Sequence, residues 1–281
     1  MTMYICSHSI YDRNKKNTFL DEISLDELKN IKNNFTITFD DGYRSIYKYR
    51  KELYKIKNKI IIFICPGFIE GDTNIWWFEL FDFIFKNKYE VNFSFEGNNY
   101  FFKLDSYKKK EICYKKLNKI FKQNSQENHE KLLDLIIKDR KKTEYKKKFL
   151  TWEMVYELSR SPNIIIGSHT YSHLNLKNEN HTRIIFELKK SKEMIEKYIK
   201  KECEYFAFPY GCSNSFNEKI INQAYGLGYK YIFTTEPNLK SLLSKNENLI
   251  NRLTSSPKIK NNSFSLYSRY LIKLLQNSSL R

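Results

Sequence analysis

Apolar and β-branched residues gather in seven short runs, at 4–6, 35–39, 59–64, 163–166, 205–208, 230–233 and 249–253, each of strand length. Most of the text between them carries helical signals. Ser24-Leu25-Asp26-Glu27 and Ser215-Phe216-Asn217-Glu218 have the form of capping boxes, in which side chains satisfy the orphan N–H groups of a helix start. Helices are also expected at 43–57, 151–160 and 182–200, the last with Ile184, Leu188, Ile195 and Ile199 near one face. Strand and helix in alternation predict a parallel α/β arrangement, a barrel or incomplete barrel, built as one elaborated domain over residues 1–281. Chemistry in such folds collects at the carboxyl ends of the strands. Asp40 and Asp41 follow the second run, His169 the fourth, and Pro209 and Tyr210 the fifth.

Between residues 67 and 150 the strand signal fades, and the text turns aromatic around Trp76-Trp77-Phe78, then lysine-rich. Helices are expected from Trp76 onward and over 107–121 and 127–140, so the segment reads as a helical insertion. Covering a barrel flank and shaping a substrate are both open roles for it. Residues 264–275 mix aromatic, aliphatic and basic side chains and predict a docked helix, with peripheral membrane contact as the lesser alternative. No window approaches the roughly 18 to 20 apolar residues of a spanning helix. The first residues show no basic region followed by an apolar one. A cytoplasmic protein is expected.

Composition changes this picture little. Of 49 basic residues in a chain of formal charge +17, only nine are Arg and forty are Lys. A base-reading or phosphate-clamping surface favours the planar fork of Arg, so solvated lysine is the better reading and no nucleic-acid partner is expected. The five cysteines are scattered without a C-x-x-C pair, as reduced thiols would be.

Three stretches carry candidate chemistry. In Thr36-Ile37-Thr38-Phe39-Asp40-Asp41-Gly42-Tyr43 an apolar strand runs into two carboxylates. An Asp-Gly hairpin turn would explain them if a second strand followed, but the following text is helical. Adjacent carboxylates can divide labour, one binding a cation and the other acting as a base. The second stretch runs from Ile164 through Gly167 to His169 and His173. Two histidines four apart can share an ion, and with one carboxylate they leave coordination positions open. The third is Phe206-Ala207-Phe208-Pro209-Tyr210-Gly211, a strand leading into a turn.

In this order and spacing the three stretches resemble the motifs of the polysaccharide deacetylase family (carbohydrate esterase 4). The resemblance extends, more weakly, through Trp76-Trp77, Thr151-Trp152 and residues 228–235 to the intracellular members linked to surface glycans. It implies a distorted (β/α)7-type barrel and removal of an N-acetyl group from an amino sugar. Asp41, His169 and His173 would bind a divalent metal, zinc first, with cobalt, nickel or manganese as substitutes. Asp40 would be the base, and the Tyr210 N–H would help hold the oxyanion. Phe208, Pro209, Gly211 and Arg252 would lie on the substrate side. The implied partner is an N-acetylated saccharide, free or linked to a nucleotide or lipid.

This chain departs from the family at three places. Ala207 stands where many members carry an Arg that orients the catalytic carboxylate, and Arg252 is a candidate substitute. Leu174 replaces a proline. No histidine follows His181, so the usual late general acid is missing. A permuted branch places that histidine on the first strand; here Ser7-His8-Ser9-Ile10 sits directly after it, which makes His8 the candidate acid. His129 and His181, without motifs around them, are expected at the solvated surface. Alternative readings are a non-catalytic saccharide-binding relative, an N-deformylase using the same machinery and, from charge alone, a nucleic-acid-binding protein.

Overall fold

A computed structural model describes residues 3–11, 22–140, 145–236 and 248–254. Six parallel strands follow one another around a sheet: Met3–Ser7, Phe35–Phe39, Ile60–Ile64, Ile164–Ser168, Tyr205–Ala207 and Tyr231–Thr234. The seventh is split into Leu249–Asn251, which pairs with the sixth strand, and Leu253–Thr254, which pairs with the first. One stretch of chain thus borders both edges. The sheet closes into the seven-stranded α/β barrel expected, with Arg252 at the split.

The second and third strands are buried along their whole length, because a parallel barrel covers both faces of each strand. Alternation then sorts the side chains. Ile60, Ile62 and Ile64 join a large outer cluster with Ile166, Val155, Leu188 and Ile221, against the helices Trp152–Ser159, His181–Ile199 and Glu218–Gly226. Ile61, Phe63, Ala207 and Phe233 fill the interior. Tyr4 and Phe63 meet Phe233 there, at 5.4 and 5.1 Å between ring centroids.

Several local expectations need correction. The capping box at Ser24 and Glu27 forms as expected, but the helix near Ser215 is capped by Asn217, whose side chain accepts from the Ile220 N–H. Ser215 instead donates to the Cys212 carbonyl at 2.7 Å. The helix expected over 43–57 breaks at Tyr49 into Arg44–Lys48 and Arg50–Leu53. Its polar groups are drawn aside: Arg50 pairs with Glu157 at 3.0 Å, and the Tyr47 hydroxyl donates to the same carboxylate.

Between the third and fourth strands the chain leaves the barrel. Helices Trp76–Lys86, Tyr107–Lys122 and Gln126–Ile136 enclose their own cluster, which includes Trp76, Leu80, Leu117, Phe121 and Leu133. This segment is not wholly helical. Strands Glu90–Phe95 and Asn98–Lys103 form an antiparallel hairpin. Its two-residue turn, Glu96-Gly97, has φ of 49° and 75°, the geometry that suits the twist of paired strands. Val91 and Phe93 point inward at period two, a signal obscured by the aromatic residues on both faces. His129 is a further correction. It is 4% exposed, its Nε2 lies 2.6 Å from the Phe121 carbonyl, and burial pushes its pKa down to about 4. No helix of the described residues is long and apolar enough to cross a membrane. The helix expected over 264–275 lies outside the described residues.

Candidate active site

At the carboxyl end of the second strand the backbone turns sharply through Asp41 (φ 70°) and Gly42 (φ 74°). A left-handed conformation costs a side-chain-bearing residue energy, and the site holds three more such residues: Thr170 (φ 63°), His173 (φ 58°) and Tyr210 (φ 63°). Tyr210 sits at the centre of a tight turn in which the Gly211 N–H donates to the Pro209 carbonyl at 2.8 Å. That is the strained hand of the γ-turn. Among the described residues no acceptor takes the Tyr210 N–H.

Asp41, His169 and His173 converge. Asp41 Oδ1 lies 3.2 Å from His173 Nε2 and 3.5 Å from His169 Nε2. Three ligands about 2.1 Å from a tetrahedral ion stand about 3.4 Å apart, and both Asp41–histidine separations are close to that, with all three atoms within 4.8 Å of one another. All three residues are buried. His169 Nδ1 lies 2.8 Å from the Ala207 carbonyl, which fixes a proton there and leaves the Nε2 lone pair towards Asp41. Burial pushes the His169 pKa down to about 4, so the ring is the neutral imidazole that a metal requires. The donor set fits a divalent cation.

Asp40 has different neighbours. Arg252, 1% exposed, donates through Nη1 to Oδ1 at 2.6 Å and through Nη2 to Oδ2 at 2.9 Å. The Cys6 thiol donates to Oδ2 at 3.3 Å, and Arg252 Nη1 also reaches Thr38 Oγ1 at 3.0 Å. Burial raises the Asp40 pKa, but the guanidinium and His169 outweigh it and hold the carboxyl at about 2. For Asp41 burial is likewise outweighed, by His173 first, and its carboxyl lies well below the usual range. Ala207 is packed among Ile61, Phe63 and Phe233, and Arg252 reaches Asp40 from the split in the seventh strand.

These groups open onto a cavity of about 350 Å³, which His8 and Tyr210 also line. His8 thus shares the cavity with both carboxylates, and its Nδ1 has no hydrogen-bond partner. Phe208 does not reach the cavity. It is 1% exposed and stacks on Phe216 at 4.6 Å within the outer cluster. Gly211 abuts Thr235, whose N–H donates to the Gly211 carbonyl at 2.8 Å, and Pro209 contributes through the turn. Sequence reasoning missed the wall formed by Trp77, Phe78, Phe81, Tyr114, Lys122 and Lys148. The aromatic run at Trp76-Trp77-Phe78 was its visible signal. Also missed was Glu187, 0% exposed, which accepts the Ser172 N–H at 2.7 Å between the two histidines and pairs with Arg183 at 2.8 Å.

A nearly closed seven-stranded barrel carries this Asp-His-His cluster at its strand ends. A sequence profile described as polysaccharide deacetylase matches residues 105–232, the segment bearing both histidines and Pro209-Tyr210. The deacetylase PplD of Streptococcus pyogenes, solved with acetate, has a similar fold (TM-score 0.53, 14% identity, covering 98% of this chain and 97% of that one). A de-N-acetylase from Aggregatibacter actinomycetemcomitans gives 0.54 at 14% identity, covering 95% and 99%. IcaB from Ammonifex degensii gives 0.50 at 14%, covering 98% and 97%. No curated protein sequence matches significantly. Over residues 105–232 the chain is similar to the polysaccharide deacetylases, and the solved deacetylase structures share its fold.

Proposed function

We propose that the protein hydrolyses the N-acetyl group of an amino sugar, releasing acetate, with a divalent cation held by Asp41, His169 and His173. The observation that carries this reading is the division of labour at one strand end. Asp41 faces two imidazoles, while its neighbour Asp40 is held ionised by Arg252. A binding protein has no use for that second carboxylate. A group with a pKa of about 2 is always ready to accept a proton but is a weak base, so its partner water must be made acidic. The cation would supply that acidity and polarise the amide carbonyl.

The remaining work falls to the chain. Asp40 accepts the proton of the attacking water. The unengaged Tyr210 N–H, held by its strained turn, meets the developing oxyanion. Expulsion of the sugar amine needs a proton, which His8 supplies from its place in the cavity; Asp40, protonated in the first step, is the alternative donor. Zinc is the first choice for His-His-Asp ligation. The substrate belongs to a glycan or glycan precursor.

Acetate release from N-acetylated sugars, measured with and without chelator, tests the reading. Asp40→Asn is expected to abolish turnover and keep the metal, whereas His173→Ala loses both. Turnover unaffected by chelation, or an active Asp40→Asn protein, would rule this mechanism out. Formate release from N-formyl sugars separates the deformylase alternative.

A further inference from the structure

The sharp turn through Asp41 and Gly42 that follows the second strand also carries Tyr43 to the wall of the cavity. Tyr43 is 4% exposed, and its hydroxyl is buried without a hydrogen-bond partner. The Asp41 charge and the Trp77 side chain are both felt at that oxygen, but neither meets it in hydrogen-bonding geometry. A buried hydroxyl left unmatched is costly, unless what enters the cavity completes it.

The ring cannot swing the hydroxyl elsewhere. It stacks on Phe149 at 5.1 Å and meets Phe78 edge-on at 6.2 Å between centroids. The backbone is tied down at the same place: Tyr43 bridges Phe149, and the Leu150 N–H donates to the Gly42 carbonyl at 2.9 Å. Phe78 and Phe149 both come from the segment between the third and fourth strands, which thereby shares in shaping the site. A donor fixed in this way meets developing charge without having to reorganise.

The acceptor follows from the neighbours. In the deacetylase reading the attacking water lies with Asp40 and the leaving amine with His8, while the acyl oxygen comes to Asp41, His169 and His173. Tyr210, whose ring packs edge-on against His173 at 5.0 Å, brings its N–H to the same end of the cavity. The atom of an N-acyl sugar that approaches Asp41 is therefore its acyl oxygen, not a hydroxyl of the sugar ring.

We propose that Tyr43 is a further catalytic residue, whose hydroxyl donates to the acyl oxygen of the bound amide through a bond that strengthens as this oxygen takes on charge. The oxyanion then meets two donors of the chain, the Tyr43 O–H and the Tyr210 N–H. This role rests on the deacetylase reading for its chemistry.

Tyr43→Phe removes the hydroxyl and keeps the ring. In the metal-loaded protein it is expected to lower kcat for acetate release roughly 100- to 1,000-fold, with KM changed by less than about twofold and metal content unchanged. Calorimetry reads the same contact without turnover, using glucosamine N-methylphosphonamidate, a tetrahedral anion in place of the planar amide, and glucosamine, which lacks the acyl group. The variant is expected to bind the phosphonamidate at least about tenfold more weakly and glucosamine as the wild type does. Tyr145→Phe, which removes a hydroxyl from the same aromatic cluster outside the cavity lining, is expected to change neither. A loss confined to KM would put the hydroxyl on the sugar ring, a fall in metal affinity would put it on Asp41, and wild-type kinetics would leave it no role; each overturns the proposal. If no sugar releases acetate, the deacetylase reading falls and the phosphonamidate still decides for Tyr43: weaker binding by the variant supports the contact, and equal binding overturns it.

Discussion

Arg252 closes a two-pronged ion pair on Asp40 across 212 residues of sequence, with both partners almost wholly buried. Removing one partner of such a pair leaves an uncompensated charge in the interior. Arg252→Met is expected to destabilise the protein by about 3–5 kcal/mol at neutral pH, read from denaturant unfolding, and to suppress turnover. Because the Asp40 pKa is depressed, its stabilising contribution is complete above the ordinary value of 3.8 and is lost only as pH falls through about 2. A variant that unfolds at the wild-type midpoint and turns over normally would show that the pair does not hold the carboxylate.

His8 reaches the cavity from the end of the first strand. His8→Ala is expected to slow deacetylation by about two to four powers of ten, with metal content unchanged. Substrates with a better leaving group, such as an activated anilide, should recover most of the loss, since they need no proton on departure. Wild-type rates in the alanine variant would hand the proton back to Asp40.

Glu187 accepts the N–H of Ser172, inside the loop whose left-handed residues present both histidines. Glu187→Gln keeps the shape but weakens both that bond and the pairing with Arg183. Metal affinity, measured by competition with a chromogenic chelator, is expected to fall about 10- to 100-fold. Unchanged affinity would limit Glu187 to packing.

His129 makes the inserted segment acid-sensitive. Its folded pKa, about 4, lies below the ordinary 6.5, so the unfolded chain binds the extra proton first. Its stabilising contribution is full above about 6.5 and drains away as pH falls towards 4, by on the order of 3 kcal/mol in all. His129→Gln is expected to flatten the dependence of unfolding free energy on pH in that window. A slope unchanged by the substitution would place the sensitivity elsewhere.

The barrel was legible because its staves are unbroken apolar runs, and Ile60 to Ile64 reads as a strand buried on both faces without further help. The convergence of Asp41, His169 and His173 was legible because they lie directly after such runs, where parallel strands bring distant sequence together. What stayed hidden depends on side-chain trajectories that spacing does not encode. Nothing around His129 distinguishes it from a surface histidine until Trp76 and Phe121 close over it. Likewise, Lys122 looks like any of forty lysines until its helix delivers it to Tyr210. The hairpin at 90–103 was obscured because Tyr100 and Phe102 share their strand with the exposed Phe101, which blurs the alternation.

The split seventh strand ties two events together in time. Its halves join the sixth strand to the first, and the residue between them is the arginine that neutralises Asp40. Asp41 and the histidine loop are built from chain that precedes this segment, whereas Asp40 meets its guanidinium only once the segment is in place. Until the ring is shut, the carboxylate must stay hydrated or take up a proton. Closure of the barrel and pairing of Asp40 with Arg252 are therefore one step.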